Sequence, residues 1–564
     1  MTRLRRLFLS LSLVSLVLGA CAPSSAPPAG GTASTGPTRG GTLIFALWQE
    51  PETLNPLYAT QTVNTLVNEI AVEGLTSVDP NGEYVAVLAR EVPSMQNGGL
   101  KVSADGKRMD VTYRLVQGVK WSDSAPFTSA DVKFTWDLRM RDPKVTSRTG
   151  YDKIEGIDTP DELTVVVRYK ETYAAFPELF GSLLPKHLLD GVPDLSKHDY
   201  TRRPLGTGPF RISEFIAGDH ITAERNSNYR VRDRPLLDKV IFKIVPSREA
   251  AIAQLKAGEI HGMWNVLEAQ VPDLEKDPSI KVSSVATGRL ERLEFNLAKP
   301  GNPADPKVPH PVLGDLAVRR ALLLATPKQQ IIDKLLYGQA KPGRSALSIG
   351  WAASKDVDQE GYDPAKAKQV LDQAGWLPGP DGVRAKDGIR ASLRLSTTSG
   401  DKVREDAEQL LVTEWKNIGI EAKIQNSPSS VFLGTWAQNA PRPRGDFDIA
   451  MYASTPDLDP QVYLAVRFQC AQIPQTANNG AGRNVNRFCD PQADKALDQA
   501  GATLDLQKRK EFYAQFLRIL NDSVANVWIY NNNRINAFRA NVGGYRASSW
   551  DEITGSIADW DVRN

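Results

Sequence analysis

The sequence predicts an α/β protein of two or three lobes, and three observations carry that expectation. At 564 residues the chain has material for more than one core, at roughly 100 to 200 residues per domain. Stretches with strand-like alternation interleave with stretches of helical period along its length, a pattern of α/β lobes rather than of a bundle or a sandwich. After the first twenty residues no apolar run approaches membrane-spanning length.

The first forty residues form an address label. Arg3, Arg5 and Arg6 precede an apolar run over 7–18, and Gly19, Ala20 and Cys21 follow. A basic start, an apolar middle and small residues at the cut make a secretory signal peptide over 1–20. A cysteine directly after the cut resembles the bacterial lipobox, in which the thiol is acylated. As a helix, residues 7–20 would rise about 21 Å, against roughly 30 Å of hydrocarbon, so an uncleaved anchor fits poorly. Residues 21–39 are Pro, Ala, Gly, Ser and Thr without apolar period and predict a disordered tether. The expected location is the cell envelope, with lipid on Cys21 and the body in water.

The elements then follow in order. Residues 42–47 predict a strand, and Pro51, Asn55 and Pro56 punctuate a loop before a helix starting near Thr60. Alternation over 109–115 predicts a half-buried strand. Thr128 is placed to cap a helix with Asp131 in its first turn. Another strand is expected over 163–169, and a helix over 250–257 ends at Gly258, which suits a left-handed cap. Further helices are expected over 316–336, 364–374 and 401–418, with Gly375 and Gly419 ending two of them. Trp136, Trp415 and Trp528 lie in periodic segments and are expected in the core.

Lys plus Arg (68) nearly balances Asp plus Glu (66), so no basic field for nucleic acid exists. His187, His198, His220, His261 and His310 are too scattered to form a zinc-type ligand pair. No metal or cofactor is expected. Cys470 and Cys489 are an even pair in an exported chain, far apart and without a C-x-x-C spacing, and predict a structural disulfide. Gly206 and Gly208 lack the third glycine of a dinucleotide loop, and Pro209 removes an N–H a phosphate would use; they fit a chain crossing between lobes. Arg108 after Gly106-Lys107 excludes a P-loop, and neither a G-x-S-x-G elbow nor H-E-x-x-H occurs.

A set of motifs, in order along the chain, resembles a known family. They are Gly41-Thr42-Leu43; Pro51-Glu52-Thr53-Leu54-Asn55-Pro56; Glu73-Gly74-Leu75; Gly118-Val119-Lys120-Trp121-Ser122-Asp123; Pro126-Phe127-Thr128-Ser129-Ala130-Asp131-Val132; and Gly206-Thr207-Gly208-Pro209-Phe210. Lys256-Ala257-Gly258-Glu259, Phe295-Asn296, Val318-Arg319-Arg320-Ala321-Leu322, Tyr362-Asp363-Pro364 and Asp446-Phe447-Asp448 follow. Together they resemble the family 5 extracellular solute-binding proteins, the oligopeptide-, dipeptide- and nickel-binding lipoproteins of ABC importers.

The resemblance implies a type II periplasmic-binding-protein-like clamp with an additional domain. The expected division is a first lobe from 40–74, 205–295 and 525–564, an additional domain over 75–204, and a second lobe over 296–524. It implies a receptor, with no catalytic residues, that passes an extended solute, oligopeptide or dipeptide foremost, to membrane permease subunits. A monomer is the default, since no heptad pattern occurs.

Peptide-binding members place an aspartate for the ligand's ammonium shortly before an acidic-Pro pair. Here a match without gaps puts Pro456 there, and Asp457 substitutes if the loop shifts by one residue. The expected ligand-binding residues are Trp48 and Trp436 as aromatic walls, Tyr452, Ser454 and Asp457 as polar contacts, and the backbone from Ala450 to Thr455 as a strand edge, which reads any side chain equally. Two alternatives stay open: a sugar receptor, favoured by Pro456 and the tryptophans, and a hydrolase using Asp457 and Asp459, for which carboxylates must stand about 5 to 9.5 Å apart across a bond.

Overall fold

The computed structural model describes residues 36–59, 61–434, 436, 439–550 and 553–563. The signal peptide over 1–20, Cys21 and the tether up to residue 35 lie outside them.

Two strands organise the body. Ile280–Phe295 and Asn526–Arg539, of 16 and 14 residues, pair antiparallel along most of their length and slip register between Ala286 and Leu290. At about 3.3 Å per residue each spans more than 40 Å. They are long enough to serve two cores, and their burial shows that they do. Ile280, Ile535 and Ala537 pack with Ala46, Leu255 and Met263. Leu293, Phe295, Val527 and Ile529 pack instead with Leu322, Leu393, Leu411 and Trp415. The chain therefore crosses between lobes near 286–290 and 530–535, inside the expected boundaries at 295 and 525.

Around these strands the described residues form an eleven-stranded sheet. On the first-lobe side Gly262–Met263, Thr42–Leu47, Lys239–Ile244, His220–Arg225 and Phe210–Ile216 follow one another. On the second-lobe side Ile449–Ser454, Ser392–Ser396 and Glu421–Ile424 follow. Both halves are covered on two faces: Leu43 and Phe45 point to one cluster and Ala46 to another, as strand alternation requires.

The additional domain is a four-stranded antiparallel sheet, Leu100–Val102, Met109–Arg114, Thr164–Tyr169 and Ile154–Asp161, packed around Val111, Tyr113, Trp121 and Val167. Helix Ser129–Arg141 starts after Thr128, whose N–H donates to the Asp131 side chain at 2.9 Å, which satisfies one N–H at the helix start. The domain is tied to the first lobe through backbone: Leu54 N–H donates to Thr201 O at 2.6 Å and Ser122 N–H to Gly206 O at 3.0 Å. A Cβ on Gly206 would stand 1.9 Å from Ala71 O, so glycine is needed there for close approach.

Most expected elements form within two residues of their boundaries, including Thr62–Asn68, Arg248–Ala257 with Gly258 left-handed, Pro364–Gln373 and Lys402–Asn417. The single helix expected over 316–336 is corrected to two, Leu316–Leu324 and Lys328–Leu335. Pro327 has no N–H to donate and its ring clashes with the preceding turn. Trp415 and Trp528 are fully buried, while Trp136 is half-buried. Cys470 and Cys489 form the disulfide.

Candidate functional site

The strand Ile449–Ser454 pairs throughout with Leu290 to Phe295. On its other side only Ile449 and Ala450 stand in register, with Leu395 and Ser396. The neighbouring strand then ends, and Thr397 turns its hydroxyl back onto the Met451 carbonyl at 2.7 Å. From Met451 the chain runs past its neighbour towards the crossing strands, where Pro456 lies beside Gly288, leaving room for a Cβ there at ordinary contact distance, 3.4 Å from the proline ring. A segment with one unpaired side thus ends where the lobes meet. Gly288 lies within the Ala286–Leu290 register slip, which makes room for that loop.

The six expected residues occupy different environments. Ala450 is fully buried and in ladder register on both sides, which corrects its place in the open edge: the unpaired stretch begins after it. Tyr452 is also corrected as a free polar contact. It is buried between two guanidiniums, with Arg292 and Arg442 4.2 and 4.1 Å from its ring centroid. Its hydroxyl accepts from both and donates to Glu294 at 2.8 Å. Ser454, half-buried, meets Arg292 Nη1 at 2.5 Å and the Tyr463 hydroxyl at 2.7 Å. Asp457 keeps an open face to solvent.

Trp48 and Trp436 make their contacts separately. Trp48 follows the Thr42–Leu47 strand and stacks on Trp264 at 5.7 Å, with the Arg248 guanidinium 4.4 Å from its ring centroid. Trp436 has Arg444 at 4.3 Å and Gly480 so near that a Cβ would stand 2.1 Å from its ring. Each indole is thus partly covered by its own surroundings.

Trp264, Arg248, Arg292 and Arg442 were missed. Trp264 was findable: Gly262–Met263 runs parallel to Thr42–Leu47, so Trp264 and Trp48 leave the same carboxyl edge of the sheet, where α/β proteins bind ligands. Arg292 gave no such signal, since Glu291-Arg292-Leu293-Glu294 resembles a strand with one wet face, yet all four residues are buried.

Residues 83–475 match the model of the bacterial extracellular solute-binding proteins, family 5. The chain belongs to that family. It is 28% identical over 554 residues to the oligopeptide-binding protein AppA of Bacillus subtilis, covering 95% of this chain and 94% of that protein. The solved structure of B. subtilis AppA in complex with a nonapeptide is 27% identical, has a TM-score of 0.66 and covers 94% of this chain and 100% of AppA. HbpA2 from Haemophilus parasuis shares the fold at 20% identity, with a TM-score of 0.77 over 93% of this chain and 100% of that one. The family is one of two-lobed clamps with an additional domain, and this chain is such a clamp.

Electrostatics separate the buried network from the open loop. Burial pushes the Glu294 carboxyl up, but Arg442, Arg292 and the Tyr452 hydroxyl outweigh it and hold the group below its usual value. Asp457 moves the other way. The surrounding protein raises its carboxyl, Arg467 pulls it down and Asp459 adds to the rise. Asp459 is buried and bonded twice to Arg509, at 2.6 and 2.8 Å, which removes it from any carboxylate pair acting on a substrate.

Proposed function

We propose that this protein is the substrate-binding component of an ABC importer, capturing an extended solute, an oligopeptide or dipeptide foremost, between lobes that close about the two crossing strands. The observation that carries the reading is the stretch from Tyr452 to Ser454, which among the described residues has a strand partner on one side alone, leading into Asp457 at the crossing. Free strand-edge groups hold a peptide backbone whatever its side chains, and an accessible carboxylate at the end of that edge meets an ammonium group. The B. subtilis relative whose structure holds a nonapeptide supports the same solute class. Closure needs a solute that binds the closed state better than the open one.

Trp48 with Trp264 and Arg248 forms the facing wall in the first lobe, Ser454 the polar contact beside the edge, and Trp436 a more distant wall of the second lobe. The protein acts as a receptor, not an enzyme, and as a monomer. In this reading the lobes divide at 286–290 and 530–535 rather than at 295 and 525, with the additional domain over 75–204. Acylation of Cys21 after removal of residues 1–20 would leave the body on a tether beside its permease; among the described residues no helix is long and apolar enough to cross a membrane.

The test is native mass spectrometry of the body, Thr38–Asn564, which forms one compact unit, followed by calorimetric titration with trialanine. The expected result is a spread of peptide masses retained through purification. Trialanine should bind about ten-fold tighter than its N-acetylated form, a preference that Asp457→Asn removes. A site that stays empty with peptides and fills with sugars would instead make Pro456 the mark of a changed specificity.

A further inference from the structure

The loop that follows the open strand is held from two directions, and one hold comes from across the cleft. Within the second lobe, Asp459 is bonded to Arg509, both side chains nearly inaccessible at 2% and 4% exposure. Arg509 also donates to the Tyr513 hydroxyl at 2.8 Å and lies over Trp351, and Gln461 N–H returns to Asp459 Oδ1 at 3.1 Å. The backbone N–H of Asp459 faces away from this cage and donates to Glu178 Oε1 at 2.6 Å. Glu178 belongs to the additional domain, in the short turn Phe176–Glu178, and the same oxygen accepts from the Tyr84 hydroxyl at 3.1 Å.

The additional domain is bound to the first lobe by backbone: Leu54 N–H donates to Thr201 O at 2.6 Å, Leu183 N–H to Glu73 O at 3.0 Å and Ser122 N–H to Gly206 O at 3.0 Å. The second lobe reaches the first through the two crossing strands. A bond from Glu178 to Asp459 N–H therefore spans the cleft and breaks when the clamp opens. It has company on the same rim, where the Trp550 indole lies against Gly82 of the additional domain and Gly350 of the second lobe, with no room for a Cβ on either.

We propose that Glu178 is a positioning residue for solute capture: it latches the additional domain onto the Asp457–Asp459 loop in the closed clamp by accepting the Asp459 N–H, and it makes closure depend on pH. This rests on the solute-binding reading above. The groups facing Glu178 are Asp459 and Asp457 of the loop, Tyr84 and Tyr173 of its own domain, and Arg509 and Tyr513 of the second lobe. Arg509 is already committed to Asp459 and offers Glu178 no ion pair. Burial raises the Glu178 carboxyl, the Asp459 N–H and Tyr84 hydroxyl oppose, Asp459 and Asp457 add to the rise, and the value reaches about 7 from the ordinary 4.5. In the open clamp the same group faces water and returns to the ordinary range. A group whose pKa is higher when closed takes up a proton on closing. Closure is then favoured most below the open value and loses that gain as pH rises through about 7. Between pH 5.5 and 8 the closed-to-open ratio should fall roughly ten-fold or more.

The experiment measures that ratio without any solute, as pulsed-dipolar distances between nitroxides on Lys101→Cys in the additional domain and Lys495→Cys in the second lobe, both exposed positions. The native body should populate the short distance more at pH 5.5 than at pH 8. Glu178→Gln, which keeps a carbonyl for the Asp459 N–H and cannot ionise, should hold the short distance at both. A native profile that does not move with pH overturns the proposal, and so does Glu178→Gln retaining the native slope or opening at every pH. Trialanine titration of the same proteins is read separately: absence of binding at either pH would sink the peptide reading and leave the distance result to decide the latch.

Discussion

Arg292 and Tyr452 stand directly opposite each other on adjacent antiparallel strands, and the guanidinium both bonds the phenol oxygen and lies 4.2 Å from the ring centroid. With Arg442 on the same ring and Glu294 bonded to the phenol hydroxyl, one hydroxyl meets three charged groups, of which Arg292 and Glu294 are buried and Arg442 is half-buried. Tyr452→Phe leaves them short of a partner at once. We expect a loss of about 2 kcal/mol or more, read from urea unfolding, a larger effect than the same change at an exposed tyrosine. A loss under about 0.5 kcal/mol would mean that the charges repartner without it.

Asp448 supplies an acid-sensitive contact between two strands of the second lobe. Its carboxylate accepts from Arg394 N at 2.7 Å and Nη2 at 2.9 Å, and stands 3.3 Å from His310 Nε2. Burial raises its pKa, the bonds to His310 and Arg394 outweigh that, and the value falls to about 2 from 3.8. A depressed carboxylate stabilises fully above its unfolded value and loses that contribution as pH falls through the folded one. About 2 kcal/mol should disappear between pH 4 and 2. Urea midpoints across that range should fall, and Asp448→Asn should be weaker at pH 7 with a flatter acid limb.

Gly206→Ala and Gly191→Ala separate close approach from backbone strain. At Gly206 the new methyl would meet the Ala71 carbonyl at 1.9 Å, a backbone atom with little freedom, and the contact between the segments around 71 and 206 in the first lobe must shift. A cost of about 3 kcal/mol or more is expected. Gly191 has a φ of +79° and open space around its Cβ position, so only strain of about 1 kcal/mol applies. Equal losses in thermal unfolding would contradict the packing account.

Replacing Cys470 and Cys489 together by serine opens the loop they close. The loop-entropy estimate is a loss of about 3 kcal/mol, with the native fold retained because the segment is also pinned by Asn484, whose amide donates to Phe488 O at 2.7 Å and Gln469 O at 2.9 Å. Denaturation of the oxidised protein with and without reductant should reproduce the same difference in the native chain.

Local order was legible because it depends on near neighbours. The strand at 42–47, the Thr128 cap and the left-handed Gly258 follow from alternation, a side chain three residues from an N–H, and a missing Cβ. The sequence also paired Cys470 with Cys489. It failed at 316–336, where apolar period outweighed Pro327 in the reading although the proline's missing N–H decides the backbone.

What the tertiary structure alone decided is which groups remain free. Tyr452 and Ala450 lie in a segment the family motifs single out, yet burial commits the first to Arg292, Arg442 and Glu294, and pairing encloses the second. Asp457 and Asp459 are two residues apart and chemically alike; one keeps a face to water while the other is sealed onto Arg509, fifty positions further on. Glu178 is still further from both in sequence and carries no motif. Whether a carboxylate is open, paired or protonated depends on the charges and dielectric the fold brings around it, and those come from residues hundreds of positions away. The sequence determined the elements, the lobes and the family; only their packing decided the site.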